Sequence, residues 1–253
     1  MGGNGAAVAA SPPIGYGIMV NILVGCQCTA DQISGYSAAS AHTTGGISMY
    51  QAKLFDSYSN SLKELYSSVN SCQGCAYHLT NSTRVNGAGN MNPQVMIIGQ
   101  GPGPAEIRAG RPYVGSSGKL LRRILKDPKV GINSVYYTNL IRCTQPELKS
   151  IMTKAVRMCS PWLEDEVGIV APRLIVCLGG LATLHILGLD QLSEHIGEVH
   201  DSIYGIPGIP MYHTAWILRV RTNDRNNYAR ISREYMDQWI NIGNMVRNDV
   251  GSN

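Results

Sequence analysis

Chemistry in this sequence would start at a run of glycines. Val95-Met96-Ile97-Ile98 leads into Gly99-Gln100-Gly101-Pro102-Gly103, and Glu106, Arg111, Pro112 and Tyr113 follow before Ser116. Four apolar residues ending in glycines describe a short buried strand whose loop lies at the carboxyl edge of a sheet, where open α/β folds bind ligands. Glycine lets backbone approach a ligand closely, a carboxylate can hold a water molecule, and an aromatic ring can stack on a flat one. The stretch suits a planar group beside an anionic one. Asn139 and His213 also fall just after apolar runs, so Gln100, Glu106, Asn139 and His213 are expected to share that edge. Ser116-Ser117-Gly118-Lys119 is not a phosphate loop, because Tyr113 stands at that motif's first glycine and Leu120 at its Ser or Thr.

The cysteines, seven in all, are a second set. The chain is too long to need a disulfide scaffold and the spacing too uneven for one, which favours a reducing compartment with some thiols on metal. Cys72 and Cys75 form a CxxC, with Cys143 and Cys159 downstream. Such a pair serves zinc, redox exchange or an iron–sulfur site. Redox exchange needs a thioredoxin-like order of elements that is not present; zinc and a 4Fe–4S cluster fit the spacing equally well. Cys177 falls inside a buried strand pattern and is assigned to the core, and Cys26 and Cys28, without further ligand-type residues close by, are read as plain cysteines.

These residues need elements to position them. From Tyr50, Leu54, Tyr58, Leu62, Leu65, Tyr66 and Val69 recur at helical spacing and bring the chain to Cys72. Residues 80 to 93 are polar and turn-rich and read as a loop. Ser116 or Ser117 caps a helix to about Lys126, stopped by Pro128. Val135 to Thr138 reads as a strand, Met152 to about Ile169 as a helix with a break at Pro161, and Arg173 to Leu178 as a third strand. A helix over Leu181 to Leu187, a hairpin between Ser202 and Met211, a fourth strand at Pro210 to Tyr212 and a closing helix from Asn223 to Val246 complete the series. The alternation predicts a parallel sheet with helices on both faces. Before Tyr50, Asp31 is the one charged side chain. Residues 1–49 are therefore expected to form a low-charge extension, available to a protein partner, ahead of one domain over 50–253.

Composition narrows the classes further. With 44% apolar and 15% charged residues the chain reads as globular, and no stretch reaches the roughly 18 apolar residues of a membrane span. Ile14 to Gly25 is apolar, but no Lys or Arg precedes it and cysteines follow where a signal peptide has small residues. A cytoplasmic or nucleoid-associated monomer is expected. The net charge of +4 leans weakly towards a polyanionic partner.

Taken together, these motifs resemble the iron–sulfur, or family 4, uracil-DNA glycosylases. Cys72-Gln73-Gly74-Cys75 looks like the family's opening CxxC, with Tyr77 and Asn81 in place of the Leu and Arg that follow it. Gly99 to Glu106 looks like its GExPGxxE, Gly110 to Gly115 like GRPFVG, and Gly118 to Leu121 like GxLL. Thr138 to Cys143 looks like TNxVKC, Pro172 to Ala182 like PxxIVxLGxxA, and His213 to Arg219 like HPSxxLR. The resemblance implies a three-layer α/β sandwich with a central, mostly parallel four-stranded sheet. It implies a structural 4Fe–4S cluster on Cys72, Cys75, Cys143 and Cys159, and a substrate of uracil-containing DNA, single- or double-stranded, left with an abasic site. Uracil would flip into the pocket, stack on Tyr113 and pair its O4 and N3–H edge with Asn139. His213 would donate a hydrogen bond to O2 of the leaving base, and the Gln100–Gly101 loop or Glu106 would hold the attacking water. Leu218, with Trp216 and Ile217, would wedge into the stack, and Ser116, Ser117, Lys119 and Arg219 would meet phosphates.

The sequence departs from that pattern at the loop. Gln100 stands where family 4 has Glu, and Gly101 where the related GQDPY loop has Asp, so Glu106 is the carboxylate left nearby. Activity is expected to be slower, to depend on Glu106, or to be lost. The last case would leave a DNA-binding or replication-accessory protein that keeps fold and cluster. Gly103 adds no bulk against a 5-methyl group, which leaves another base open as substrate. No His-bearing basic insertion follows Cys143, so covalent capture of DNA is not expected.

Overall fold

Continuous apolar runs, rather than alternating ones, mark strands covered on both faces, and four such runs pair here as parallel neighbours. In a computed structural model, residues 49–75, 83–144 and 149–248 are described, with side chains from 57 onward in the first segment and from 152 in the third. They belong to one unit, Ile47–Asn253. The low-charge extension with Cys26 and Cys28, and the positions of Tyr77 and Asn81, lie outside the described residues.

The elements run α1 (Met49–Asn70), β1 (Ala88–Gly89), β2 (Val95–Gly99), α2 (Pro104–Ala109), α3 (Ser116–Leu125), β3 (Val135–Asn139) and α4 (Lys149–Val170). They continue with β4 (Leu174–Leu178), α5 (Gly180–Leu187), a 3-10 turn at Leu192–Glu194, β5 (His200–Asp201), β6 (Pro207–Met211), α6 (Thr214–Asn223) and α7 (Arg225–Asn248). The sheet order is β1-β3-β2-β4-β6-β5. β3, β2, β4 and β6 are parallel, and the two-residue strands β1 and β5 pair antiparallel at the edges. The sheet is thus the expected parallel four plus two short edge strands. Two residues carry no readable period, which is why β1 sits inside a stretch that reads as loop.

Alternate residues of each strand face opposite layers. Met96, Ile98, Tyr136, Ile175 and Cys177 pack with α1, α4 and α5. Val95, Ile97, Val135, Tyr137 and Val176 pack with α3, α6 and α7, around the fully buried Trp239. The result is three layers, with the strands' carboxyl ends at one edge.

Three sequence expectations change. α4 runs through Pro161 without a break. The carbonyl that loses its partner is that of Arg157, an exposed residue, while Val156, Leu163 and Val167 on the other face are buried in the core and keep the helix in place. Pro104 to Ala109, read as loop, forms a short helix with proline in its first turn, where the missing N–H costs nothing. Thr214 to Asn223, read only as a motif, is also helical.

The largest polar feature of the interior was not anticipated. Arg142 and Glu166 are 2% and 0% exposed, and an Arg142 Nη2 donates to Glu166 Oε2 at 2.5 Å. Thr138 Oγ1 donates to the same carboxylate at 2.6 Å, Tyr66 at 2.5 Å and Tyr136 at 3.0 Å. Arg142 also donates to Thr138 Oγ1, and the two tyrosine hydroxyls lie within hydrogen-bond reach of each other, so either can turn its one proton to its neighbour in place of Glu166. Burial first, then the Glu166 charge, pushes both tyrosine pKa values upward, so the hydroxyls stay protonated as donors. The network joins α1, β3, the segment after β3 and α4.

Candidate active site

At the carboxyl edge, β2 ends in Gly99, β3 in Asn139, β4 in Leu178 and β6 in Met211. The loops that follow enclose a cavity of about 630 Å³, within the ~300–1,000 Å³ range of small-molecule sites. Gln100, Gly101, Glu106, Tyr113, Ser117, Asn139, His213, Trp216 and Arg219 all line it, so nine residues singled out from sequence meet in one place. Helices α3, α5 and α6 begin at this edge, and their N-terminal N–H groups make it favourable to negative charge.

The floor depends on Gly99. Its register partner is Asn139, 4% exposed. A Cβ on residue 99 would stand 2.7 Å from the Asn139 carboxamide oxygen and collide with the Tyr113 hydroxyl. The absent side chain therefore lets these two groups converge. Tyr113 is held tightly. Its φ is +55°, in the left-handed region that an aromatic residue rarely occupies. Arg122 donates to its carbonyl at 3.3 Å and to that of Pro112 at 3.4 Å. Its hydroxyl, kept protonated by burial, donates to the Thr138 carbonyl at 3.5 Å. The Gly118 backbone lies so close that a Cβ there would fall 2.5 Å from the Tyr113 Cα.

His213 caps α6. Its Nδ1 accepts the Ala215 N–H at 3.0 Å. A ring nitrogen that accepts carries no proton, so the neutral tautomer has its proton on Nε2. Burial, then the Arg219 charge, lowers the His213 pKa, while Glu106 opposes them. The ring is therefore neutral at pH 7, with one N–H left to donate. Its plane lies within 16° of the Tyr113 ring, with centroids 6.5 Å apart, so the two rings bound the same narrow space.

Glu106 is 8% exposed. Its Oε1 accepts the Gly115 N–H at 2.6 Å, tying α2 to the start of α3. Its Oε2 faces Gly103, where a Cβ would stand 2.8 Å away. The loop of Gln100 is fixed by the Ile141 N–H, which donates to the Gln100 carbonyl at 3.1 Å.

Matches with known proteins follow the same residues. The family model of the uracil DNA glycosylase superfamily matches residues 86–236. The chain belongs to the uracil DNA glycosylase superfamily. Among its relatives, a type-4 uracil-DNA glycosylase of Pyrobaculum aerophilum is 33% identical over 166 residues, 62% of this chain and 85% of the relative. Type-4 uracil-DNA glycosylases of Thermotoga maritima and Archaeoglobus fulgidus are each 31% identical, over 62% of this chain and 82% and 83% of their own lengths.

The uracil DNA glycosylase fold also gathers the cysteines. Cys72, Cys75, Cys143 and Cys159 line one cavity, together with Arg84, Arg142 and Trp162. Burial raises the Cys143 thiol to about 11, Arg84 pulls it down, and the other three thiols push it up again. Four sulfur donors around one space, with two cationic side chains beside them, fit a tetrathiolate site carrying net negative charge. Cys177 is fully buried in β4.

Some site residues were placed differently or missed. Ser116 and Lys119 are exposed at the start of α3, and Leu218 is half-buried on α6. Ile217 is 2% exposed and belongs to the core, so it cannot wedge into a base stack. Trp216 stacks on Tyr212, centroids 4.2 Å apart, and Tyr212, Leu192, Gly179 and Gly180 are further cavity walls. Gly179-Gly180 directly after an apolar run carries the same signal as Gly99 to Gly103 and could have been assigned. Among the described residues, no helix is long and apolar enough to cross a membrane.

Proposed function

We propose that the protein removes uracil from DNA by hydrolysing its N-glycosidic bond. The observation that carries this reading is the neutral His213 ring, capped at Nδ1 by Ala215 and left with Nε2–H to donate, in one cavity with Asn139, Tyr113 and Glu106. A flipped uracil is flat and offers an acceptor–donor edge, which a carboxamide matches with its donor and its acceptor. Asn139 reads that edge, and Tyr113 packs on the ring face. As the bond breaks, negative charge collects on the base and positive charge on the sugar. His213 Nε2–H stabilises the first as a fixed donor. Glu106 supplies the fixed negative charge for the second, and the Gln100–Gly101 loop holds the attacking water. Arg219, Lys119, Ser116 and Ser117 contact phosphates around the cavity mouth, and Leu218, beside Trp216, fills the gap in the stack.

Cys72, Cys75, Cys143 and Cys159 hold a 4Fe–4S cluster that serves structure, tying the end of α1 to β3 and α4. No step of the base release is assigned to it. The four-thiol cavity would suit zinc as well; the choice of cluster rests on the resemblance of the motifs to the iron–sulfur glycosylases.

The test is a glycosylase assay on uracil-containing oligonucleotides, beside a visible absorption spectrum of the same anaerobic preparation. Abasic-site formation and a brown chromophore lost in Cys143→Ala are the expected results. Salt-sensitive DNA binding with no base release at high enzyme excess, the chromophore being intact, would overturn the hydrolase reading and leave a DNA-binding protein.

A further inference from the structure

We propose that His195, Glu198 and His200 form a zinc site, separate from the thiol cavity, that pins one wall of the substrate pocket. The three side chains offer two imidazole nitrogens and a carboxylate oxygen, all within 4.8 Å of one another. Glu198 Oε2 lies 3.6 Å from His195 Nδ1 and 3.5 Å from His200 Nε2. Zinc bonds of ~2.0–2.1 Å at tetrahedral angles put neighbouring donors roughly 3.3–3.4 Å apart. The two Glu198 separations are therefore within a few tenths of an ångström of ligand spacing, and the two imidazole nitrogens, within 4.8 Å of each other, would draw together on a shared ion. The two imidazole rings stand edge to face, at 90° with centroids 5.1 Å apart.

An ordinary ion pair between Glu198 and a histidine explains less. His200 Nε2 is shielded from solvent and has no hydrogen-bond partner. A buried ring nitrogen without a partner is costly, and a metal ligand is one of the few roles that satisfies it. Two imidazoles and a carboxylate suit zinc over magnesium or calcium, which favour oxygen.

The backbone holds the three donors before any ion arrives. His195 follows the 3-10 turn Leu192–Glu194 and its carbonyl accepts the Glu198 N–H at 3.1 Å. Gly197, at φ +81°, makes the bend and donates to the Pro210 carbonyl at 3.0 Å. His200 is in β5, paired with Gly208 of β6. Three residues before His195, Leu192 lines the substrate cavity. A bound ion would thus tie the turn that carries Leu192 to the edge of the sheet, with water in the fourth position on the exposed side of Glu198.

The experiment uses the full chain with its thiol site loaded. Zinc is added, excess is removed by dialysis, and bound metal is measured by elemental analysis and X-ray absorption at the zinc edge. The expected result is one zinc equivalent with an all nitrogen/oxygen shell and a raised Tm. That equivalent should be lost in His200→Ala and bound at least about tenfold more weakly in Glu198→Gln, which serves if the alanine variant folds poorly. A sulfur shell, or equal zinc uptake by wild type and both variants, would overturn the proposal. Neither readout depends on base release, so failure of the glycosylase reading would not be confused with failure here.

Discussion

Replacing His213 separates an observed role of its imidazole, the helix cap, from the proposed catalytic one. Nδ1 accepts the Ala215 N–H as the cap of α6, and in the proposed reaction Nε2–H donates to the leaving base. His213→Ala removes both. Loss of a cap costs about 1 kcal/mol of stability, within a range of ~0.5–2. Loss of one donor to a developing oxyanion costs roughly 10²–10³ in rate, or about 2.7–4 kcal/mol. His213→Asn should split the two. Its side-chain oxygen can accept from Ala215, as a favoured capping residue, but the amide ends near the Nδ1 position and cannot reach where Nε2 stood. The assay is single-turnover release of uracil under enzyme excess, beside urea unfolding of the same preparations. The asparagine variant should be near wild type in stability and as slow as the alanine variant. If it cleaves at the wild-type rate, or if the alanine variant unfolds more easily yet cleaves within about threefold of wild type, a rate effect smaller than about 0.7 kcal/mol, His213 is a cap and nothing more.

The same residue sets a pH dependence with a definite sign. Its folded pKa lies below the ordinary 6.5, chiefly through burial and then Arg219. Below 6.5 the unfolded chain takes up a proton that the folded one does not, so stability falls with pH from 6.5 down to the folded pKa. Protonation of Nδ1 also removes the acceptor for Ala215. The fall in stability over that window should be shallower in His213→Asn.

Three other substitutions test separate parts of the structure. Glu106→Gln keeps an acceptor for the Gly115 N–H but removes the charge; stability should change by under about 1 kcal/mol while single-turnover release slows at least about tenfold, 1.4 kcal/mol, and an unchanged rate would reduce Glu106 to a loop tie. Glu166→Ala strands the buried Arg142 charge and should cost about 3–5 kcal/mol in urea unfolding, whereas Arg142→Met with Glu166→Leu should cost much less; equal losses would mean that packing, not charge, is what matters. Gly118→Ala puts a Cβ 2.5 Å from the Tyr113 Cα and should cost about 1–3 kcal/mol through overpacking, with slowed base release as Tyr113 shifts; a variant unchanged in both would contradict the close approach.

What was legible in the sequence had a local cause. Val95 to Ile98, Val135 to Thr138 and Arg173 to Leu178 could be read as strands because runs covered on both faces are uninterrupted. Gln100, Glu106, Asn139 and His213 could be grouped because each follows such a run, and the cavity does bring them together. What was not legible depends on partners far along the chain. Glu166 and Arg142 carry no local sign of being a buried pair, which forms only when α1, β3 and α4 close around them. Ile217 reads as an exposed wedge beside Leu218 until α6 turns it inward, because a helix absent from the sequence reading had no faces to assign. His195, Glu198 and His200 lie within six residues, but just after a 3-10 turn, just after a bend and on an edge strand, whose convergence no periodicity reveals.

β3 explains why the two predicted centres belong to one molecule. Asn139 ends that strand in the cavity, and Cys143 follows four residues later. Between them, Arg142 reaches back to Thr138 and Glu166, and Thr138 accepts the Tyr113 hydroxyl at its carbonyl while its own hydroxyl is bound to Glu166. The residue before Asn139 is thus fixed from both the pocket side and the α4 side, and the residue before Cys143 is fixed by the same carboxylate. Neither centre can shift without moving a buried, charged network whose disruption costs several kcal/mol, about 3–5 when one partner is lost. Rigidity at the thiol end in this way supports a precisely held carboxamide at the pocket end, so the proposed cluster, with no step of base release assigned to it, would still have a reason to be built beside the pocket.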